Sequence, residues 1–424
     1  TADYIANHLD ELARVKKDDP ERAKKIGEFG VAFTSRAFRR PLTEEERVYF
    51  VDRRFQEADS LEMAVRRLVL LTLTSPRFLY PDSSFESMDG SWAKSASLAL
   101  TLWDSVPDAE LIKRTQSNRF KDPKKWEEEA RRMVWDRRTR DKLNGFFHHW
   151  LELDRAYEIS KDSKLFPDFS PEVMADLRTS LDLFLEQAIW TGSSDYRQLI
   201  LADSLFLNSR LSKIYGDGKD QKGFQKVSLP PQNRAGVITH PYLLTSFAYH
   251  DNTSPIHRGV FLTRNIVGIA LKPPPEAIEF KDSDFDPTLT MREKVTELTR
   301  SKACMACHSM INPLGFSLET FDAMGRFRQK ELNKTINDDS ELKTDDGTKI
   351  QIKGPRDVAE FAANSPTAHR AFVRQLFHHF VKQPTAAYGP NTLDDLQKHF
   401  TETNFNVSEL LVRIATTAAQ GKQP

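Results

Sequence analysis

The only two cysteines of this 424-residue chain stand three positions apart and are followed at once by a histidine, in Cys304-Met305-Ala306-Cys307-His308. This feature restricts the fold more than any other. Two thiols one helical turn apart can each add to a vinyl group of a haem, and the next imidazole then lies beneath the iron. The spacing therefore asks for a helix here. Zinc competes poorly, because a structural site takes four Cys or His ligands and no second cysteine pair exists. A redox dithiol of the thioredoxin kind sits in a βαβ unit, which the surrounding sequence does not resemble. The residues thus read as one covalent haem c, attached through Cys304 and Cys307, with His308 as the proximal iron ligand.

The flanks agree with a helical setting. Met291, Val295 and Leu298 fall at helical spacing and predict an amphipathic helix over 290–301, leading into the motif as in cytochrome c folds. Asn312-Pro313-Leu314-Gly315-Phe316 reads as a turn that places a backbone carbonyl against Nδ1 of His308, fixing the ring, and Pro313 counts among the haem-binding residues on that ground. Further helices are expected over 10–26, 61–73, 93–103, 126–135, 137–153, 171–190 and 368–382. Thr43 before Glu44, Glu45 and Glu46 is an N-cap with an acidic first turn. With 28 Phe and only 17 Gly, the composition fits a helical body better than a sheet built on tight turns. Asp346-Gly347, between Leu342 and the alternating Ile350 and Ile352, predicts one hairpin.

The expected fold is mainly α: a multi-helical body followed by a cytochrome c-like helical haem domain with a small β-hairpin. The expected divisions are an N-terminal helical domain over 1–85, a central helical domain over 86–272, a linker over 273–288 and the haem domain over 289–424. Pro273-Pro274-Pro275 and the acidic stretch after Phe280 mark the linker.

Lys plus Arg and Asp plus Glu both number 61, so no basic excess points to nucleic acid. No run of about 18 apolar residues is present, and no membrane span is expected. Covalent haem attachment takes place outside the cytoplasm, whereas the chain begins at Thr1 with neither Met nor an apolar leader. A removed signal peptide and a periplasmic or other extracytoplasmic location are therefore expected. Phosphate-loop, nucleophile-elbow and zinc-protease motifs are missing from the sequence. The acidic clusters at 282–286 and 338–341 lack EF-hand spacing and read as solvated loops.

The stretch from Cys304 through Asn312-Pro-Leu-Gly-Phe-Ser-Leu-Glu-Thr-Phe-Asp-Ala-Met-Gly-Arg-Phe-Arg328 resembles the haem segment of large planctomycete-type multidomain c-type cytochromes, built from domains of unknown function. Ala37-Phe-Arg-Arg-Pro-Leu-Thr-Glu-Glu-Glu46, Ser75-Pro-Arg-Phe-Leu-Tyr80 and Thr253-Ser-Pro-Ile-His-Arg-Gly259 are similar to the same family, so the likeness spans nearly the whole chain. It implies a secreted or periplasmic, mostly helical c-type cytochrome. It implies no particular reaction.

Function turns on the iron position opposite His308, since a second strong ligand favours electron transfer and an open site favours chemistry. His379 shares a helix face with Phe372 and Leu376 and is the preferred distal histidine; Met324 is the better-placed methionine, Met310 being too close to His308. His250 and His257, flanking Asn252-Thr-Ser-Pro255, are further candidates. His148, His149 and His378 read as packing or surface residues. Arg258, Arg326 and Arg328 are candidate partners for haem propionates. The sequence reading is a monohaem electron-transfer protein, exchanging electrons with a redox protein or a small-molecule donor or acceptor. The alternative is a peroxidase-like or other haem oxidoreductase with a weakly ligated distal site between the helical body and the haem domain. A scaffold or polysaccharide-binding body joined to a cytochrome is a third reading that no motif selects.

Overall fold

The computed structural model describes residues 1–80, 90–117, 120, 122–154, 159–272, 280–344 and 347–421. It is mainly α, and its strands form only small antiparallel pairs. Contacts group the chain into two compact units, Thr1–Lys142 with Val412–Pro424, and Leu143–Leu411. Pro273, Pro274 and Pro275, on which the expected linker rested, lie outside the described residues.

In the first unit the principal helices are α1 (Arg22–Ala37), α2 (Leu61–Leu73), α3 (Gly90–Trp103) and α4 (Pro123–Val134). Ile26, Phe38, Phe50, Val65 and Leu68 are buried together in one core, inside which Thr34 and Thr72 share a hydroxyl hydrogen bond of 3.2 Å. Helix formation over 10–26 is corrected. A short helix ends at Leu12, Arg14 takes a positive φ of 53°, and α1 begins only at Arg22. Pro20 accounts for the late start of α1 alone, since its ring disfavours the helical conformation at Asp19. Thr43 does cap a helix: its hydroxyl accepts from the Glu46 N–H, and the Glu46 carboxylate accepts from the Thr43 N–H.

The following helices are α5 (Arg137–Trp150), α6 (Pro171–Glu186), α7 (Pro255–Phe261), α8 (Met291–Leu298), α9 (Lys302–Phe316), α10 (Pro366–Val381), α11 (Thr392–Glu402) and α12 (Val407–Gln420). The core of the second unit is aromatic. Phe372 of α10 meets Tyr196 at 4.5 Å, Trp150 at 5.4 Å and Phe146 at 5.6 Å between ring centroids. Packing of this kind adds specific edge and offset contacts to the burial of large apolar surfaces.

Strand β1 (Ser204–Leu207) pairs with β2 (Gln225–Ser228), and β3 (Lys330–Glu331) with β4 (Lys334–Thr335). The expected hairpin is β5 (Asp339–Lys343) against β6 (Lys349–Lys353). Its turn is closed by Thr344 N–H to Thr348 O at 2.9 Å and by Gly347 at a positive φ of 84°; Asp346 lies outside the described residues. Leu342 and Ile352 are buried on its inner face, and β5 packs on α9. The hairpin therefore backs the helix that carries the cysteine motif.

Candidate haem site

Ser301 N-caps α9 by accepting from the Cys304 N–H at 3.2 Å, so the motif occupies the first two turns of a helix. At 100° per residue, Cys304, Cys307 and His308 fall within one narrow arc of that helix. All three are partly exposed, while every residue from Ile311 to Glu319 is buried. The arrangement leaves thiols and imidazole on an accessible face and anchors the helix by its other end.

That anchoring end is helical, which corrects the expected turn at 312–316. Pro313 lies inside α9, removing the N–H that would reach the Ser309 carbonyl. Residue 309 is exposed, so water can satisfy that carbonyl and the proline is tolerated. The partner of His308 consequently differs from the one expected. Its Nδ1 faces Oδ1 of Asn312, one turn on, at 2.8 Å; Asn312 Nδ2 donates to Thr299 Oγ1 at 2.8 Å; and Thr299 Oγ1 donates to the Val295 carbonyl at 2.8 Å.

This chain settles a proton. The Val295 carbonyl can only accept, so the Thr299 hydroxyl proton points to it and the threonine oxygen must accept from Asn312. The amide is thereby oriented with Oδ1 toward the histidine, and Oδ1 can only accept. In neutral His308 the proton therefore sits on Nδ1, and Nε2 carries the lone pair a metal requires. Two thiols at helical spacing and an imidazole with a fixed tautomer fit a covalently held haem iron. Cys304 and Cys307 would hold the porphyrin and His308 would supply the proximal nitrogen. The haem itself would provide a one-electron couple.

The motif helix is held by a close crossing with α7. A Cβ on Gly259 would lie 2.1 Å from the Ile311 carbonyl oxygen, and one on Gly315 would lie 2.0 Å from the Pro255 carbonyl oxygen. Backbone meets backbone at both points, so only glycine fits. Beyond α9, Arg258 of α7 is fully buried and donates to the carbonyls of Leu318, Phe321, Leu244 and Asp322 at 2.7–3.1 Å. Burial lowers its pKa to about 10, leaving the guanidinium charged at neutral pH. Glu319 is buried beside it: Oε2 accepts from Thr253 at 2.8 Å, while Oε1 stands 3.9 Å from Arg258 without a hydrogen bond. Burial pushes this carboxyl up to about 7 against the opposing pull of Arg258 and Arg328. The segments around Thr253, Asn312 and Glu319 thus form one packed unit.

The propionate candidates already have internal partners. Arg326 pairs with Asp322 at 2.7 Å and Asp168 at 3.3 Å; Arg328 donates to the Glu319 carbonyl at 3.1 Å and stands 3.7 Å from Glu331. The distal candidates fall in three separate places. Met324 is buried in the core, 1% exposed, with its carbonyl accepting from the Tyr215 hydroxyl. His379 stands edge-on to Phe146 at 5.7 Å and lines a cavity of about 650 Å³ with His149, Trp150, Asn265 and His378. His250 and His257 come together in another cavity, beside Lys161. His148 is in contact with Arg178, which, after burial itself, depresses its pKa. Among the described residues no group of three or more His, Cys, Asp or Glu side chains is arranged to hold a bare metal ion; Asp282 of one acidic cluster pairs with Lys294.

Asn312, Thr299 and Glu319 were missed as site residues. The four-residue step from His308 to Asn312 was the available signal, concealed by the proline beside it.

No helix among the described residues is long and apolar enough to cross a membrane. No curated protein and no solved structure matches the chain. Residues 91–216 match the family model PSD4, a protein of unknown function (DUF1592). Residues 234–331, which include the cysteine motif and the Arg258–Glu319 cluster, match PSCyt3, a protein of unknown function (DUF1588), so the chain carries two segments similar to families whose names suggest planctomycete cytochrome-type domains.

Proposed function

We propose that this chain is a monohaem c-type cytochrome that transfers electrons in an extracytoplasmic compartment. The haem is attached through Cys304 and Cys307, and His308 is its proximal ligand. The observation that carries the reading is the hydrogen-bond chain His308–Asn312–Thr299–Val295, which presents an unprotonated Nε2 beside two accessible thiols on one helix face. The same tautomer would serve zinc, but among the described residues no group of three or more His, Cys, Asp or Glu side chains is arranged to hold a bare metal ion. The PSCyt3 match over the same residues supports the cytochrome assignment. A partner protein or a small-molecule donor and acceptor completes the electron path, and the second position on the iron is filled by a protein side chain.

The test is expression behind a secretion signal together with the haem-attachment machinery, followed by a denaturing gel stained for haem. The wild-type chain is expected to keep one haem through denaturation, and a Cys304→Ala, Cys307→Ala double variant to lose it. A chain that folds, exposes both thiols to alkylation and carries no haem would defeat the proposal. High-spin ferric iron that takes up cyanide or azide readily would leave the attachment intact and refute the second protein ligand.

A further inference from the structure

We propose that the cavity around Lys161 binds a small oxyanion, an organic carboxylate or inorganic phosphate, independently of the haem residues. The cavity holds about 420 Å³, within the size range of small-molecule sites, and lies wholly within the unit formed by residues 143–411. Its polar lining comes from Ser160, Lys161, Thr245, Ser246, Tyr249 and the two imidazoles of His250 and His257, with no carboxylate among the described residues that line it. Such a wall offers hydrogen-bond donors and positive charge; the carboxylates that act on Lys161, Asp322 and Asp251, lie outside the lining and are opposed by Arg258.

Two of these groups are polar and almost fully buried. Lys161 is only 7% exposed, and its Nζ donates to the carbonyls of Ala248 at 3.2 Å and Tyr249 at 2.6 Å. An ammonium has three hydrogens, so these bonds hold the head group in place and leave one for a ligand. Burial draws its pKa down to about 7, and a bound anion would restore the charged form. Thr245 is 1% exposed and its Oγ1 has no hydrogen-bond partner. A buried hydroxyl without a partner is rare in native proteins, and this one belongs to a residue of the cavity wall. The imidazoles are steadied through Nδ1, by Ser160 Oγ at 3.3 Å from His250 and Ser254 Oγ at 3.0 Å from His257.

The experiment is calorimetric titration of the full chain with sodium acetate, sodium benzoate and sodium phosphate, at ionic strength matched with sodium chloride. Saturable one-site binding of at least one probe is expected. Binding of a carboxylate alone identifies an organic acid, and binding of phosphate alone identifies a phosphate. Thr245→Val keeps the side-chain shape and removes an unpaired hydroxyl, so its stability should match or exceed that of the wild type, while its affinity falls about tenfold, as for a lost hydrogen bond to a charged group. Lys161→Met should weaken binding further. The proposal is overturned if no probe saturates, or if Thr245→Val binds with wild-type affinity. Neither result bears on haem attachment.

Discussion

Replacing Gly259 or Gly315 with alanine sets two effects of known size against each other. In a helix interior alanine is favoured over glycine by about 1 kcal/mol, because glycine loses more backbone freedom on folding. Against this stands the crossing of α7 and α9, where the new methyl groups would sit 2.1 Å from the Ile311 oxygen and 2.0 Å from the Pro255 oxygen. Ordinary contact requires the backbones to part by roughly an ångström, and overpacking of this kind costs about 1–3 kcal/mol or more. The obstructing atoms are main-chain carbonyls, which cannot turn aside, so the upper part of that range applies. A net loss of about 2 kcal/mol is expected for each variant, read from the urea midpoint and from faster amide exchange in α9. The two substitutions should be strongly non-additive, since either one forces the same separation. Gly27→Ala in α1 is the control: its Cβ would meet nothing within 4 Å, and stabilisation of up to about 1 kcal/mol is expected. If Gly259→Ala were as stabilising as Gly27→Ala, the close crossing, and with it the account of how the motif helix is held, would be wrong.

Four further predictions concern single groups. Thr43→Ala should cost about 1 kcal/mol through loss of the capping box; a stability unchanged within 0.3 kcal/mol of roughly zero would show the cap to be idle. Burial raises the pKa of Glu46, but hydrogen bonds from Arg40 and Thr43 and the charge of Arg77 outweigh it and bring it to about 2. Its contribution is therefore present above 4.5 and lost as pH falls toward 2, and Glu46→Gln should flatten that part of an acid-unfolding curve. Glu319 has the opposite sign. With its folded pKa near 7 and an ordinary value of 4.5, the native state holds the extra proton between them, so stability declines as pH rises through this window. Glu319→Gln should remove the decline, and an unaltered pH profile would contradict it. Asn312→Leu should retain covalent haem but raise the reduction potential by about 40 mV, the one-electron equivalent of a lost bond worth about 1 kcal/mol to the ferric form. A redox titration indistinguishable from wild type would show that Asn312 does not tune the imidazole.

Much of this architecture was legible because it rests on local chemistry. Thr43 caps a helix where its side chain reaches a first-turn amide, and Gly347 turns the one expected hairpin. The cysteine motif was equally local. What escaped was set by tertiary context. Pro313 reads as a terminator, yet exposure of residue 309 and the crossing at Gly259 and Gly315 let α9 run through it and bring Asn312 under His308. Arg258 looked like a propionate ligand because its interior partners are carbonyls, which leave no trace in sequence. Lys161 and Thr245 gave no signal at all: each is ordinary in its own segment, and only the fold places them on one cavity wall.

The most direct test of the central claim is a pyridine haemochrome spectrum of the purified, matured protein after acid–acetone extraction. One haem per chain, retained through extraction and showing the band of a haem joined by two thioether bonds, is the predicted result. Haem that extracts into the solvent, or a folded chain with no haem and two titratable thiols at Cys304 and Cys307, would contradict it.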